Sequence, residues 1–191
     1  MKDEQSHERD IKFILENLTR PIVLIGMMGA GKSHVGRKLA DLLGLPFADS
    51  DRHIEAAAGG TVSEIFTRDG EERFRAAERR VICDLLNPPL KVIATGGGAI
   101  MNPETAADIK ENAVSIWLNA DTDTLERRIG SAKTRPMLAG KNVREVLEGL
   151  LKQREPVYKK ADITIDSGDT GQVIPDLVHK LAVHLGQKTG A

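Results

Sequence analysis

Residues 22–33 read IVLIGMMGAGKS. The first four residues form an uninterrupted apolar run, which is typical of a strand that is buried on both faces. Glycines then interrupt the run at three of the next six positions, and Val35, Leu39 and Leu43 follow at helical spacing. The stretch therefore predicts a buried strand, a tight glycine-rich turn and a helix.

The turn, residues 26–33, fits the pattern G-x-x-x-x-G-K-[ST] of a phosphate-binding loop. Backbone N–H groups of such a loop surround a β-phosphate, and the N-terminus of the helix adds partial positive charge. We expect Lys32 to reach the β- and γ-phosphate oxygens of ATP and Ser33 to ligate one Mg²⁺ ion. The alternative, a glycine-rich turn with a surface lysine, is disfavoured by the strand and helix around it. Four further residues are predicted to contact ATP: Gly29, Ala30, Gly31 and His34.

Four further apolar runs predict short strands. They cover residues 46–48, 91–95, 113–118 and 162–165. Helical patterns fill the gaps between the strands, with segments at 52–58, 62–68, 70–86, 122–130, 143–160 and 171–186. Apolar strands that alternate with helices predict an α/β fold of three layers, in which helices cover both faces of a parallel sheet.

The composition is typical of one folded domain. The chain has 191 residues, of which 40% are hydrophobic and 29% are charged. A net charge of -1 and an aromatic content of 3% argue against a nucleic-acid partner. No apolar run approaches the ~18 residues of a membrane span, and the single cysteine, Cys83, favours a cytoplasmic location. We expect an N-terminal extension with a short helix at 1–20, a domain at 21–186 and a tail at 187–191.

Polar and glycine residues follow the second and third predicted strands, where the ligands of a parallel α/β sheet bind. Asp49 and Asp51 follow one strand, and three glycines, residues 96–98, follow the other. One carboxylate can reach a metal ion through water while the other accepts a hydroxyl proton. The alternative is that an aspartate here only caps the next helix. The glycines allow a ligand to approach the backbone closely, or form a tight turn, or do both.

Three arginines complete the set of candidate site residues. Residues 131–142 form a long basic connection, which predicts a mobile lid that brings Arg135 onto the transferring phosphoryl group. Arg154 lies on the following helix. Arg75 with Glu78 also fits an ordinary surface pair at i, i+3 spacing. Arginines and a base-like aspartate around an ATP site predict a kinase of a small hydroxylated acid, whose identity these residues leave open.

This set of motifs, in this order, resembles the shikimate kinase family, small P-loop enzymes related in fold to the nucleoside monophosphate kinases. The resemblance covers about residues 21–185. It departs from the family pattern at His34, where threonine is usual, and at residues 167–170, which lack an arginine that some members place against adenine. The motifs that carry it are GxxGxGKS at 26–33, DxD at 49–51, FRxxE at 74–78, GGG at 96–98, RP at 135–136 and RxxxY at 154–158.

The resemblance implies a five-stranded sheet of order 2-3-1-4-5, a monomer, and ATP-dependent phosphorylation of the 3-hydroxyl of shikimate. It implies that Ser33 and, through water, Asp49 hold Mg²⁺, and that Arg135 covers ATP from the lid. The residues implied to hold shikimate are Asp51, Arg75, Gly97 and Arg154. The residues expected to act in catalysis are Asp51, Lys32 and Arg135.

Two alternative functions stay open on the residues alone. A kinase of the same fold could act on a gluconate-type sugar acid or on a nucleotide. A regulator could keep the phosphate loop and bind a nucleotide without turnover, although Asp51 and the basic lid argue against this class.

Overall fold

A parallel sheet of five strands forms the centre of the computed structural model, which describes residues 2–130, 142–168 and 172–189. The strand order is β2-β3-β1-β4-β5 and every neighbouring pair is parallel, so the predicted α/β class and sheet order are confirmed. The strands are β1 (Ile22–Ile25), β2 (Phe47–Asp49), β3 (Val92–Ala94), β4 (Val114–Asn119) and β5 (Ile163–Asp166).

Helices cover both faces of this sheet, as the apolar strands predict. Crossovers between parallel strands are right-handed, which places α2 and α8 on one face and α4 and α5 on the other. The helices are α1 (Lys2–Asn17), α2 (Lys32–Leu43), α3 (Ser50–Ala58), α4 (Val62–Leu86), α5 (Pro103–Asn112), α6 (Thr122–Ile129), α7 (Val143–Tyr158) and α8 (Val173–Thr189), with a 3₁₀ turn at Ala99–Met101.

The main core lies between the sheet and its helices. All four residues of β1 are buried, because this strand is central and has helices on both faces. Trp117 of β4 stacks on Tyr158 at the end of α7, with ring centroids 5.9 Å apart. The stacking fixes the C-terminal part of α7 against the sheet.

Several helix boundaries differ from the sequence-based expectations by one to three residues, as at the ends of α6 and α7 and at both ends of α8. The segments predicted at 62–68 and 70–86 are joined in α4, and the break predicted between them is present as a kink at Gly70, which has a φ of 80°. A positive φ suits glycine because it has no Cβ. Helix α3 begins at Ser50, two residues earlier than predicted, because the Asp49 side chain caps it by accepting a hydrogen bond from Asp51 N–H.

The predicted lid at 131–142, with Arg135, lies outside the described residues except for Asn142, which caps α7. In the described part of the chain, no helix combines the length and the apolar character needed to cross a membrane.

Candidate active site

The phosphate loop connects β1 to α2 at the carboxyl edge of the sheet. Gly29 and Gly31 have φ angles of 82° and 90°, and Gly31 precedes α2 without any side-chain cap. The first turn of α2 therefore begins without a capping side chain, which favours binding of an anion at this end of the helix. The Lys32 ammonium donates hydrogen bonds to the carbonyl oxygens of Gly26 (2.9 Å) and Met27 (2.8 Å), so it lies against the loop itself.

The side chains of Ser33 and Asp49 contact each other beside the phosphate loop. Ser33 Oγ donates a 2.6 Å hydrogen bond to Asp49 Oδ2. The other carboxylate oxygen, Oδ1, accepts from Asp51 N–H at 3.2 Å. Asp49 therefore caps α3 and contacts the phosphate loop at the same time, whereas Asp51 lies inside the first turn of α3.

An ion pair with a buried carboxylate lies beside Asp51. Arg75 Nη1 donates a 2.6 Å hydrogen bond to Glu78 Oε2, and the Glu78 side chain is only 3% exposed. Burial raises the pKa of the Glu78 carboxyl, although the attraction of Arg75 acts in the opposite direction. The interpretation of Arg75 and Glu78 as a surface pair is therefore wrong for Glu78, whose carboxylate is an internal part of the site.

The glycines after β3 allow charged side chains to approach the backbone. A Cβ atom at Gly96 would lie 2.8 Å from a carboxylate oxygen of Asp51 and 2.8 Å from one of Glu78. At Gly98 it would lie 2.8 Å from Arg75 Nη2. Contacts this short do not occur at real Cβ atoms, so a larger residue at either position would displace these carboxylates or the guanidinium from the places that they occupy.

Gly97 is held between two side chains of α7. The Tyr158 hydroxyl donates a 2.5 Å hydrogen bond to its carbonyl oxygen, and Arg154 Nη1 lies 3.4 Å from where a Cβ would be. Arg154 is 7% exposed. The RxxxY spacing therefore puts one arginine and one tyrosine of the same helix face on the same glycine.

Two adjoining clefts open at this edge. The larger, about 730 Å³, is lined by the phosphate loop together with Asp51 and Gly97. The smaller, about 290 Å³, is lined by Arg75, Arg154 and Gly98 among others. The triple glycine thus lies between the cleft at the phosphate loop and the cleft that carries two guanidinium groups.

Comparison with known proteins decides the family. The family model of shikimate kinase matches residues 28–182. A shikimate kinase of Caulobacter vibrioides is 51% identical over 155 residues, which are 81% of this chain and 78% of that protein. One of Bradyrhizobium diazoefficiens is 48% identical over 184 residues, which are 95% of this chain and 88% of that protein. The chain belongs to the shikimate kinase family. Kinases of this family use ATP, so the enzyme class expected from the sequence is confirmed.

The solved structures agree with membership of the shikimate kinase family. Shikimate kinase from Acinetobacter baumannii in complex with shikimate superposes with a TM-score of 0.83 at 37% identity, covering 93% of this chain and 98% of that one. A gluconokinase from Sinorhizobium meliloti reaches a TM-score of 0.53 at 18% identity, which shows a shared fold only.

The structure brings the predicted site residues of this family member together, apart from Arg135, which lies outside the described residues. Further residues of the site were not predicted, among them Glu78, Tyr158 and Arg128. Glu78 and Tyr158 belong to the quoted motifs FRxxE and RxxxY, but the spacing alone gives them no role. Arg128, at the end of α6, lines the larger cleft, whereas in the sequence it fits an ordinary basic residue in the last turn of a helix.

Proposed function

We propose that the chain transfers the γ-phosphoryl group of ATP to the 3-hydroxyl of shikimate, giving shikimate 3-phosphate and ADP. The observation that carries this assignment is the pair of adjoining clefts, one at the phosphate loop and one at two arginines, with Asp51 at the triple glycine that separates them. Membership of the shikimate kinase family supports the choice of acid.

ATP occupies the larger cleft. The backbone N–H groups of residues 29–34 hold its phosphates, and Lys32 moves from the carbonyl oxygens of the loop to the β- and γ-phosphate oxygens. Arg128 from α6, and Val173 and Ile174 from the first turn of α8, also line this cleft. The planar guanidinium group of Arg128 and these apolar side chains can pack against the flat adenine ring of ATP.

Mg²⁺ accompanies the nucleotide, and the residues present fit it. Ser33 Oγ and Asp49 Oδ2 are 2.6 Å apart and are oxygen donors of the kind that Mg²⁺ prefers. Within the described residues no group of three or more His, Cys, Asp or Glu side chains could hold a metal. This fits an ion held by one or two side chains and by phosphate oxygens. When bound, the ion neutralises charge on the phosphates.

Asp51 is the base that receives the proton of the attacking hydroxyl. As that oxygen bonds to the γ-phosphorus, the bond between the γ-phosphorus and the bridging oxygen of ADP breaks, and the hydroxyl proton passes to the carboxylate of Asp51. The lack of a side chain at Gly96 leaves space for this carboxylate at the end of β3.

Arg75 and Arg154 bind the carboxylate of shikimate. A guanidinium fork matches a carboxylate in two parallel hydrogen bonds, and both arginines line the smaller cleft. The Glu78 carboxylate accepts a hydrogen bond from Arg75 Nη1, which fixes the orientation of the Arg75 guanidinium group. Gly97, between the arginines and the phosphate loop, offers its backbone to the substrate. Arg135 covers ATP from the lid.

The remaining proposals concern assembly and location. The proposed groups at the reacting centre all belong to one chain, so one copy suffices for activity and we expect a monomer. The single cysteine supports a cytoplasmic location.

The test is the release of ADP from ATP with each candidate acceptor. We expect rapid release with shikimate and only background release with gluconate or AMP. Comparable turnover with gluconate or AMP would contradict the proposed substrate. Nucleotide binding without turnover on any of the three would favour a non-catalytic regulator.

A further inference from the structure

Helix α1 lies outside the residues that the family model matches, yet it is part of the main core. Ile14 is 0% exposed and Leu18, just after the helix, is 7% exposed. Phe13 is partly buried against the same core. An amphipathic helix that buries residues of one face in this way is held firmly by the domain.

The principal partner of α1 is α8. Asp10 Oδ2 lies 3.1 Å from His179 Nδ1, and the Asp10 side chain is largely covered. Farther along both helices, the ring of Phe13 lies within 3.6 Å of the position of a Cβ at Gly186. One polar and one apolar contact therefore join α1 to α8 over about two turns of α8.

Helix α8 forms part of the wall of the nucleotide cleft. Its first turn supplies Val173 and Ile174 to this cleft, beside Ser167 and Gly168 from the end of β5. The inner face of α8 is buried in the core at Leu177, Val178, Leu181 and Leu185. The helix is thus packed against the sheet on one side and against α1 on another.

We propose that α1 is a positioning element for nucleotide binding, which acts by holding α8 in the place where its first turn contacts the base. This inference rests on the proposed function, since it takes the larger cleft as the ATP site. When the contact between α1 and α8 is weakened, α8 is displaced from this position in a fraction of the molecules. The apparent dissociation constant then rises by the inverse of the fraction of molecules in which α8 is in place. Among the described residues that line the smaller cleft, none comes from α8, so the affinity for shikimate is unaffected.

The variant Phe13→Ala in the full chain tests the proposal, with Leu15→Ala as the matched control on the same helix, since Leu15 is 52% exposed. Calorimetry measures the dissociation constants of ADP and of shikimate separately, at a temperature where every variant is folded. Hydrogen exchange of the amides of α8 reports whether the helix has loosened. For Phe13→Ala we expect about three- to tenfold weaker ADP binding. We also expect faster exchange in α8 and unchanged shikimate binding, with the ADP affinity and the slow exchange of α8 restored in Phe13→Leu.

Unchanged ADP affinity despite faster exchange in α8 would overturn the proposal. An equal loss of affinity for ADP and for shikimate would also overturn it, because a general loss of stability affects both clefts alike. A loss of ADP affinity in Leu15→Ala equal to that in Phe13→Ala would overturn it as well. If Phe13→Ala does not fold, Asp10→Ala applies the same test, because it removes the polar contact with His179 and leaves Phe13 in place. A wild-type chain that binds shikimate but no ADP would instead contradict the proposed function.

Discussion

Ser33 donates a 2.6 Å hydrogen bond to Asp49 across the end of a strand that lies between them. Ser33 follows β1 and Asp49 ends β2, but β3 separates these two strands in the sheet. Strands β1 and β2 are therefore about 10 Å apart, twice the usual spacing of neighbours. The Ser33 side chain, at the start of α2, and the Asp49 side chain, at the end of β2, span this gap from its two sides. The hydroxyl and the carboxylate can therefore meet above β3.

This pair predicts the metal dependence of the enzyme. In Ser33→Ala the hydroxyl ligand is lost, so the Mg²⁺ concentration at half-maximal rate should rise by about tenfold or more, if the loss resembles that of a hydrogen bond to a charged group. His34→Ala is the control, since only the backbone of His34 is assigned to phosphate. Titration of the rate with Mg²⁺ measures both, and equal curves for Ser33→Ala and wild type would contradict the assignment.

Lys32→Ala should lower turnover by about a hundredfold or more, because the positive charge at the β- and γ-phosphates is lost. The circular dichroism spectrum should stay near that of the wild type, since the Lys32 ammonium donates hydrogen bonds to carbonyl oxygens of Gly26 and Met27, in the loop after β1. Lys110→Ala on the surface of α5 is the control. Wild-type turnover in Lys32→Ala would refute the phosphate-loop assignment.

Asp51→Asn keeps the size of the side chain and removes its basicity. The rate should fall by about a hundredfold or more, within the usual range for general base catalysis. The affinity for ATP should hardly change. Single-turnover rates and ATP titrations measure the two effects, and a variant that loses stability but keeps its rate per folded molecule would mean that Asp51 only supports α3.

Arg75→Lys and Arg154→Lys keep the charge and lose the fork. Because charge-assisted hydrogen bonds contribute about 1.5–3 kcal/mol, shikimate affinity should fall roughly ten- to a hundredfold. ATP affinity should be nearly constant, and Arg73→Lys, on the exposed face of the same helix as Arg75, should change neither. Separate titrations with shikimate and ATP decide the matter. An equal loss for both ligands would assign these arginines to the phosphates or to the fold.

Glu78 predicts a pH dependence of stability. Burial raises its pKa above the usual 4.5. The folded state therefore binds this proton more tightly than the unfolded state does. The stability gained from it is complete below the unfolded pKa and is lost as the pH rises through the raised pKa. The difference in free energy of unfolding between wild type and Glu78→Gln should thus fall from about pH 4.5 upward. The slope should not exceed about 1.4 kcal/mol per pH unit.

Urea unfolding at several pH values measures this slope. Glu72→Gln, on an exposed part of the same helix, is the matched control. A difference for Glu78→Gln that does not vary with pH would mean that Glu78 has the same pKa in the folded and unfolded states.

The sequence by itself determined the features that depend on neighbouring residues. The apolar run at 22–25 and the glycines and lysine after it specify a strand, a phosphate loop and a helix, because backbone conformation and helix polarity are local properties. The alternation of apolar strands with helices likewise determined a parallel sheet, while its strand order came from the resemblance of the motifs to a family.

Only the tertiary structure decided which charges are buried and which strand ends meet. Glu78 and Glu71 are both one helical turn from Arg75, at i, i+3 and i, i+4, yet their side chains are 3% and 68% exposed. The spacing along the helix does not distinguish the two glutamates. Their difference in exposure arises because other parts of the chain pack over Glu78 and leave Glu71 in solvent. In the same way, the hydroxyl of Tyr158 reaches the carbonyl of Gly97, 61 positions away, because α7 crosses the end of β3. The free energy of burying a carboxylate or a phenol depends on such distant neighbours, and no local pattern in the sequence encodes them.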